Sequence, residues 1–431
     1  MVTKLITTNS DFKDQFKVFL SKDRSAGIDI VSVVSEILNK IKLDGDSSLI
    51  SYTNTLDRNV LKIEDLLLSE NESRDIIEDL EENIKNSLDV ASLRIKEFHK
   101  KQIPKDLSYV DDSGTHLGYQ WKPIETIGIY VPGGTASYPS TVLMNAIPAI
   151  VAGVKNIIMV SPASDGVLNA STIYAAKSLG IKEIYRIGGA QAVAALAYGT
   201  ETIPKVDKIV GPGNAYVAEA KKQVFGSVGI DMLAGPSEIV VIADSMNDPR
   251  IIAADLLSQA EHDVSAQSIL ITNDKSLAEQ VEEEVGMQLK SLTRSEIATK
   301  SWSDYGSIII TTSIDESVDI SNQIAPEHLE LSVQDARSYV EKVNHAGAVF
   351  VGTSTPEAIG DYLAGPSHVL PTSRTAKYSS GLSVFDFIKR TSIVECTQES
   401  LETIGNDARS IALNEGLDGH ARSIEYRLSK K

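Results

Sequence analysis

Ile127-Gly128-Ile129-Tyr130-Val131-Pro132-Gly133-Gly134-Thr135 is a short apolar, β-branched run that stops on a proline and two glycines. A run of that length bounded by turn residues reads as a buried strand running into a loop. The same texture returns downstream in Ile157-Ile158-Met159-Val160, Glu183-Ile184-Tyr185-Arg186-Ile187, Lys208-Ile209-Val210 and Glu238-Ile239-Val240-Val241-Ile242, with Ala-rich helical runs between them. Strands alternating with helices predict an α/β protein with a parallel sheet. Three of the strands end in glycine, at Val131-Pro132-Gly133-Gly134-Thr135, Ile187-Gly188-Gly189-Ala190-Gln191 and Val210-Gly211-Pro212-Gly213-Asn214. Such loops gather at the carboxyl edge of a parallel sheet, where ligands usually sit. Glycine lets backbone amides approach a phosphate, and the helix N-terminus behind them favours negative charge. None of the three matches G-x-G-x-x-G. Tight βα turns and nucleotide-binding loops therefore both remain open from these residues.

The alternation resumes after Asp244, with a helix over 249–262, a strand Ser268-Ile269-Leu270-Ile271-Thr272, a helical zone from Leu277 to Leu289, and strands at 307–312 and 348–352. Asp361-Tyr362-Leu363-Ala364-Gly365-Pro366-Ser367 repeats Asp231-Met232-Leu233-Ala234-Gly235-Pro236-Ser237 in all but one position. Each copy closes a βα array, which predicts two related α/β units with an interleaved chain path. Upstream, Val31, Val34, Leu38 and Ile41 recur at helical spacing between Ile28 and Leu43, with Gly45 as a stop. A second helical zone runs from Asp75 to Phe98, with Ile76, Leu80, Ile84, Leu88, Ala91, Ile95 and Phe98 as its apolar stripe. Beyond Ser383 the pattern is again helical. The expected organisation is an arm over 1–25, a discontinuous α/β domain over 26–127 and 239–381, a second α/β domain over 128–238 holding the glycine loops, and a helical tail over 382–431.

Composition narrows the function classes. The 431 residues suffice for two domains. With 42% hydrophobic and 23% charged residues the balance is that of a globular protein, without an apolar run long enough to span a bilayer. The start, Met1-Val2-Thr3-Lys4-Leu5-Ile6, lacks the pattern of a secretory signal, so a cytoplasmic location is expected. A single cysteine, Cys396, excludes an intramolecular disulfide and a cysteine-based metal cluster. The formal charge of −18 argues against nucleic acid or an anionic membrane as partner.

Four polar points could carry chemistry: Gln259 with His262, Glu327 with His328, Asp361 with Ser367 and His368, and Glu415 with His420. Gln259 and His262 stand three apart at the end of a helix and can share a face; decoration of the helix end, where His also suits the dipole, is the other reading. Imidazoles, a carboxylate and an amide oxygen can hold a divalent metal, zinc first among them, although no compact metal motif joins them. The run Ile324-Ala325-Pro326-Glu327-His328-Leu329 is read as a helix start, with an imidazole as natural proton acceptor and a carboxylate able to activate water. Cys396 follows an acid, with no glycine or histidine near it to stabilise a thiolate, and no serine lies in G-x-S-x-G.

Taken in order, Y-V-P-G-G from Tyr130, I-D-M-L-A-G-P-S-E from Ile230, S-Q-A-E-H-D from Ser258, A-P-E-H-L from Ala325, D-Y-L-A-G-P-S-H from Asp361 and E-G-L-D-G-H from Glu415 resemble the histidinol dehydrogenase family over essentially the whole chain. The resemblance implies two related parallel-sheet domains of incomplete Rossmann-like, aldehyde-dehydrogenase-like fold. It implies a zinc-dependent, NAD-linked oxidation of L-histidinol to L-histidine through L-histidinaldehyde, the last two steps of histidine biosynthesis. The implied zinc ligands are Gln259, His262, Asp361 and His420, and the implied proton acceptors are Glu327 and His328. Ser237, His328 and Glu415, with the ligand residues, are implied histidinol contacts; Tyr130, Gln191 and Asn214 are implied NAD contacts. The resemblance also implies a homodimer whose tail brings His420 to the neighbouring site. A metal-dependent hydrolase without NAD is the alternative that NAD dependence separates; a nucleotide-binding regulator without turnover is the other, against which Glu327, His328, Asp361 and His420 are all present.

Overall fold

The computed structural model of the protein describes residues 2–22, 24, 30–133, 138–233 and 235–429. Gly134 and Thr135 of the first glycine loop, Ala234 of the repeated motif, and Ile28 lie outside the described residues. The strands are β1 (Thr3–Ile6), β2 (Leu107–Val110), β3 (His116–Pro123), β4 (Thr126–Tyr130), β5 (Asn156–Val160), β6 (Glu183–Tyr185), β7 (Lys208–Val210), β8 (Gly229–Ile230), β9 (Glu238–Ala243), β10 (Gln267–Thr272), β11 (Ser307–Ile310), β12 (His328–Ser332), β13 (Ala348–Val351) and β14 (Ile388–Glu395). They form a six-stranded sheet in the order β1-β11-β10-β9-β12-β13, a five-stranded sheet in the order β6-β5-β4-β7-β8, and a three-stranded sheet β14-β3-β2. The two large sheets are parallel throughout, and the small one is antiparallel.

Each large sheet is covered on both faces, as a parallel sheet must be. In the five-stranded sheet Ile127, Ile129 and Val131 point into one core while Tyr130 points into the other. In the six-stranded sheet Ile239 and Val241 enter one core and Val240 and Ile242 the other. All six residues of β9 are buried, which makes it the spine of that layer.

The packing corrects part of the expected organisation. Val34, Ile37, Leu38, Ile41 and Leu49 pack against Tyr130, Val160 and Leu196, and Ala91 and Ile95 against Ile129 and Leu143. Residues 30–100 thus join the five-stranded layer: among the described residues, their buried apolar side chains lie in its two cores and none in the cores of the six-stranded sheet. The zone from Asp75 to Phe98 is two helices, Glu70–Glu78 and Glu82–Lys100, the first begun by a Ser69–Glu72 capping box. The N-terminal arm packs on the six-stranded layer: β1 extends that sheet beside β11, and Phe16 enters its core. The segment beyond Ser383 opens with a short 3-10 turn, Val384–Phe387, and a strand, β14, before the helices Gln398–Asn414 and Asp418–Leu428. Pro326-Glu327-His328 does not begin a helix. Helix Ile314–Ile324 ends on Ala325 at φ 52, and the chain then enters β12, whose five residues are all buried between β9 and β13.

Candidate active site

His328 is the first residue of β12 and lies beside Ile239, the second of β9. Leu329 and Leu331 enter the core on one face of the sheet, so alternation turns His328, Glu330 and Ser332 to the other, where helix Pro249–Ala260 packs. His328 is 4% exposed. Its Nδ1 lies 2.9 Å from the carbonyl oxygen of Glu238. A carbonyl only accepts, so Nδ1 carries the proton and Nε2 presents a lone pair. Nε2 has no hydrogen-bond partner among the described residues and lies 3.7 Å from Glu357 Oε1. Burial pulls the imidazole pKa down to about 4, with Asp361 opposing, which leaves His328 neutral at pH 7.

Glu327 is buried, and its Oε2 accepts the backbone N–H of Glu238 at 2.9 Å. Burial pushes its carboxyl well above the usual range; the charges of Glu238 and Asp361 push the same way, and the Glu238 N–H pulls back. The Glu238 side chain is held by Arg24 and by the Ser373 N–H.

Two helices complete the cluster. Gln259, fully buried near the end of helix Pro249–Ala260, places its amide Nε2 3.3 Å from His262 Nδ1, while its Oε1 has no partner among the described residues. Helix Glu357–Tyr362 presents Glu357 and Asp361 one turn apart on one face. The Glu357 N–H donates to Glu330 Oε1 at 2.6 Å. The Glu357 carboxyl is raised to about 9, first by burial and then by Asp361. His328, Glu357 and Asp361 offer ligand atoms within 4.8 Å of one another. His368 Nδ1 donates to the Asp361 carbonyl at 3.0 Å, and its imidazole is made less basic by burial, then favoured by Asp361 and disfavoured by His262.

The fold therefore gathers Glu327, His328, Asp361, Gln259 and His262 from separate stretches. Ser237 immediately precedes Glu238 and gives its carbonyl to the Gln267 N–H. Glu415 and His420 are not gathered: both are exposed on the C-terminal helical pair, whose second helix packs chiefly on the first. Glu357 and Glu238 went unread in the sequence. Pro356-Glu357, four residues before Asp361, offered a signal for the first, since i and i+4 share a helical face; Glu238 acts through its backbone and leaves no sequence signal.

The expected dinucleotide contacts lie on the five-stranded layer. Tyr130 ends β4, is 3% exposed, and accepts the Gly189 N–H at 3.0 Å through its hydroxyl. Burial raises that phenol to about 12. Gln191 is fully buried, and neither of its amide atoms has a partner among the described residues. Asn214 Oδ1 accepts the N–H groups of Tyr216 and Val217 and caps helix Ala215–Val224.

Nitrogen and oxygen donors of this kind can hold a divalent metal ion. Gln259 Oε1, a buried polar atom that ordinarily demands a partner, has none among the described residues, and Asp361 lies in a cluster whose ligand atoms approach within 4.8 Å of one another.

The sequence profile of histidinol dehydrogenase matches residues 20–428. The chain is 51% identical to the histidinol dehydrogenase of Brucella abortus (strain 2308) over 429 residues, covering 100% of both chains. It is also 51% identical to that of Rhodospirillum rubrum, covering 100% of this chain and 99% of the other. The crystal structure of histidinol dehydrogenase from Elizabethkingia anophelis superposes with a TM-score of 0.94 at 37% identity, covering 99% of this chain and 98% of that one. The protein is an α/β oxidoreductase built on two parallel sheets. It belongs to the histidinol dehydrogenase family.

Proposed function

We propose that this chain oxidises L-histidinol to L-histidine through L-histidinaldehyde in two NAD-linked steps, closing histidine biosynthesis. The observation that carries the reading is His328, a buried imidazole whose tautomer is set by the Glu238 carbonyl and whose free Nε2 faces the Glu357–Asp361 helix. Gln259, His262 and Asp361 would hold zinc together with His420 from a second copy of the chain. Zinc would orient the substrate's nitrogen and oxygen groups and favour loss of the hydroxyl proton. NAD, contacted by Tyr130, Gln191 and Asn214, would accept one hydride in each step.

His328 Nε2 takes the hydroxyl proton of the alcohol, and burial, which disfavours the imidazolium, returns that proton readily. Glu327 then takes a proton from the water that adds to the aldehyde; its raised proton affinity suits that role. Ser237 and Glu415, with the ligand residues, would complete the histidinol contacts. Exposed Ile411 and Leu417 beside Glu415 and His420 support a homodimer in which the tail covers the neighbouring site. No helix among the described residues is long and apolar enough to cross a membrane, which is compatible with a cytoplasmic enzyme. Purified protein given L-histidinol and NAD should form two NADH per histidinol consumed, read by absorbance, and a chelator should stop it. Aldehyde accumulating with one NADH, or turnover of a hydrolysable substrate without NAD, would overturn the reading.

A further inference from the structure

Gly211 ends the loop side of β7 and is gripped on both of its backbone polar groups by side chains. Its N–H donates to Asp231 Oδ2 at 2.8 Å, and its C=O accepts from Lys221 Nζ at 2.9 Å. Lys221 and Asp231 pair with each other, with side chains 2% and 1% exposed. Lys221 stands in the last turn of helix Ala215–Val224, and Asp231 directly follows β8. The three groups close a ring that ties the end of β7, the helix behind the loop and the end of β8. Gly211 itself has φ +111, and a Cβ there would lie 2.1 Å from the carbonyl oxygen of Tyr130.

A turn of this kind needs only glycine and an Asn cap, both present. A buried ion pair carries a desolvation cost that an apolar pair of similar volume avoids, so its presence is not accounted for by stability. The pair fixes the direction of the two peptide units flanking Gly211, and through them the course of Pro212-Gly213-Asn214. The repeated motif sharpens the point. In its second copy Asp361 stands in the metal-capable cluster, while in its first copy the equivalent Asp231 is committed to Lys221 and Gly211.

We propose that Lys221 and Asp231 are positioning residues for the dinucleotide: they set the Gly211–Asn214 loop so that Asn214 and the N-terminus of helix Ala215–Val224 meet NAD. This rests on the NAD reading above. Lys221→Met and Asp231→Asn remove the charge pair with little change of volume, and Asp231→Asn keeps an oxygen for the Gly211 N–H. Each variant is expected to raise KM for NAD about five- to tenfold, as small misplacements of a binding group do. KM for histidinol and bound zinc should stay at the parental values. An unchanged KM for NAD in folded variants overturns the proposal, as does a parallel rise of both KM values. Failure of both variants to fold also overturns it, because the pair would then brace the whole layer rather than the loop. If the unaltered enzyme forms no NADH, the NAD reading itself has failed, and that is seen before any variant is made.

Discussion

Glu238 holds His328 by its carbonyl and, through its N–H, holds Glu327 as well, each at 2.9 Å. One backbone residue of the central strand β9 thus holds both side chains of the proposed proton-handling pair. Because neither bond uses the Glu238 side chain, exchange of that side chain leaves both contacts available.

His328→Asn keeps a donor for the Glu238 carbonyl but offers no imidazole lone pair. It should lower kcat by about 10²- to 10⁴-fold, the usual worth of a positioned base, with far less effect on zinc content. Steady-state NADH formation and metal analysis on the same sample check this; near-parental kcat would remove His328 from the role of base.

The metal-free protein should lose stability as pH rises. Glu357 is raised from 4.5 to about 9 in the fold, so its contribution is complete below pH 4.5 and is lost as pH climbs through 9. His328, lowered from 6.5 to about 4, acts the other way but only between those values. Between pH 6.5 and 9 the carboxyl term remains, worth at most about 1.4 kcal/mol per pH unit for one proton. Tm measured across that window should fall, and Glu357→Gln should flatten the fall.

Exhaustive chelation should abolish NADH formation, and added zinc should restore it. Gln259→Ala should hold less zinc after dialysis than the parent, since its Oε1 is a buried atom with no other partner among the described residues. Full activity at vanishing metal content would exclude the zinc role.

His262→Ala and His420→Ala should each be nearly inactive alone. If His420 serves a neighbouring copy, refolding the two variants together at equal amounts should restore about a quarter of the activity, because half the dimers are mixed and each has one intact site. No recovery would place His420 in its own subunit's site or outside any site.

Phe387→Ala should cost about 3–5 kcal/mol, the range for emptying a buried aromatic site. Phe387 is fully buried against the five-stranded layer, and the Ile124 N–H bonds to its carbonyl at 2.9 Å. Urea unfolding checks it; a loss below 1 kcal/mol would show that the residues just beyond Ser383 hang loosely.

The α/β class was legible because buried parallel strands such as Glu238–Ala243 are apolar along their length and end on turn residues. Gln259, His262, Glu327, His328 and Asp361, which the fold brings together, stood out only as members of an ordered set of motifs, since each alone suits a helix end, a cap or a solvated face; His420, expected with them, stays exposed on the C-terminal helices. Pro326-Glu327-His328 misled because a proline ahead of an acid marks a helix start, yet Ala325 in the left-handed region redirects the chain into a central strand. The layer joined by residues 30–100 was illegible because an amphipathic stripe states that a helix needs a partner and not which one.

The sequence by itself determined the strand–helix alternation, the closeness of Gln259 to His262 and of Glu327 to His328, and the repeated motif that begins at Asp231 and Asp361. These depend on spacing within a few residues, where backbone periodicity is enough. Only the tertiary structure decided that Glu238 anchors Glu327 and His328, that Glu357 stands beside His328, and that one repeated aspartate is sealed against Lys221 while the other stays in the cluster. Those outcomes depend on burial and on contacts between residues up to about a hundred positions apart, which no local pattern encodes.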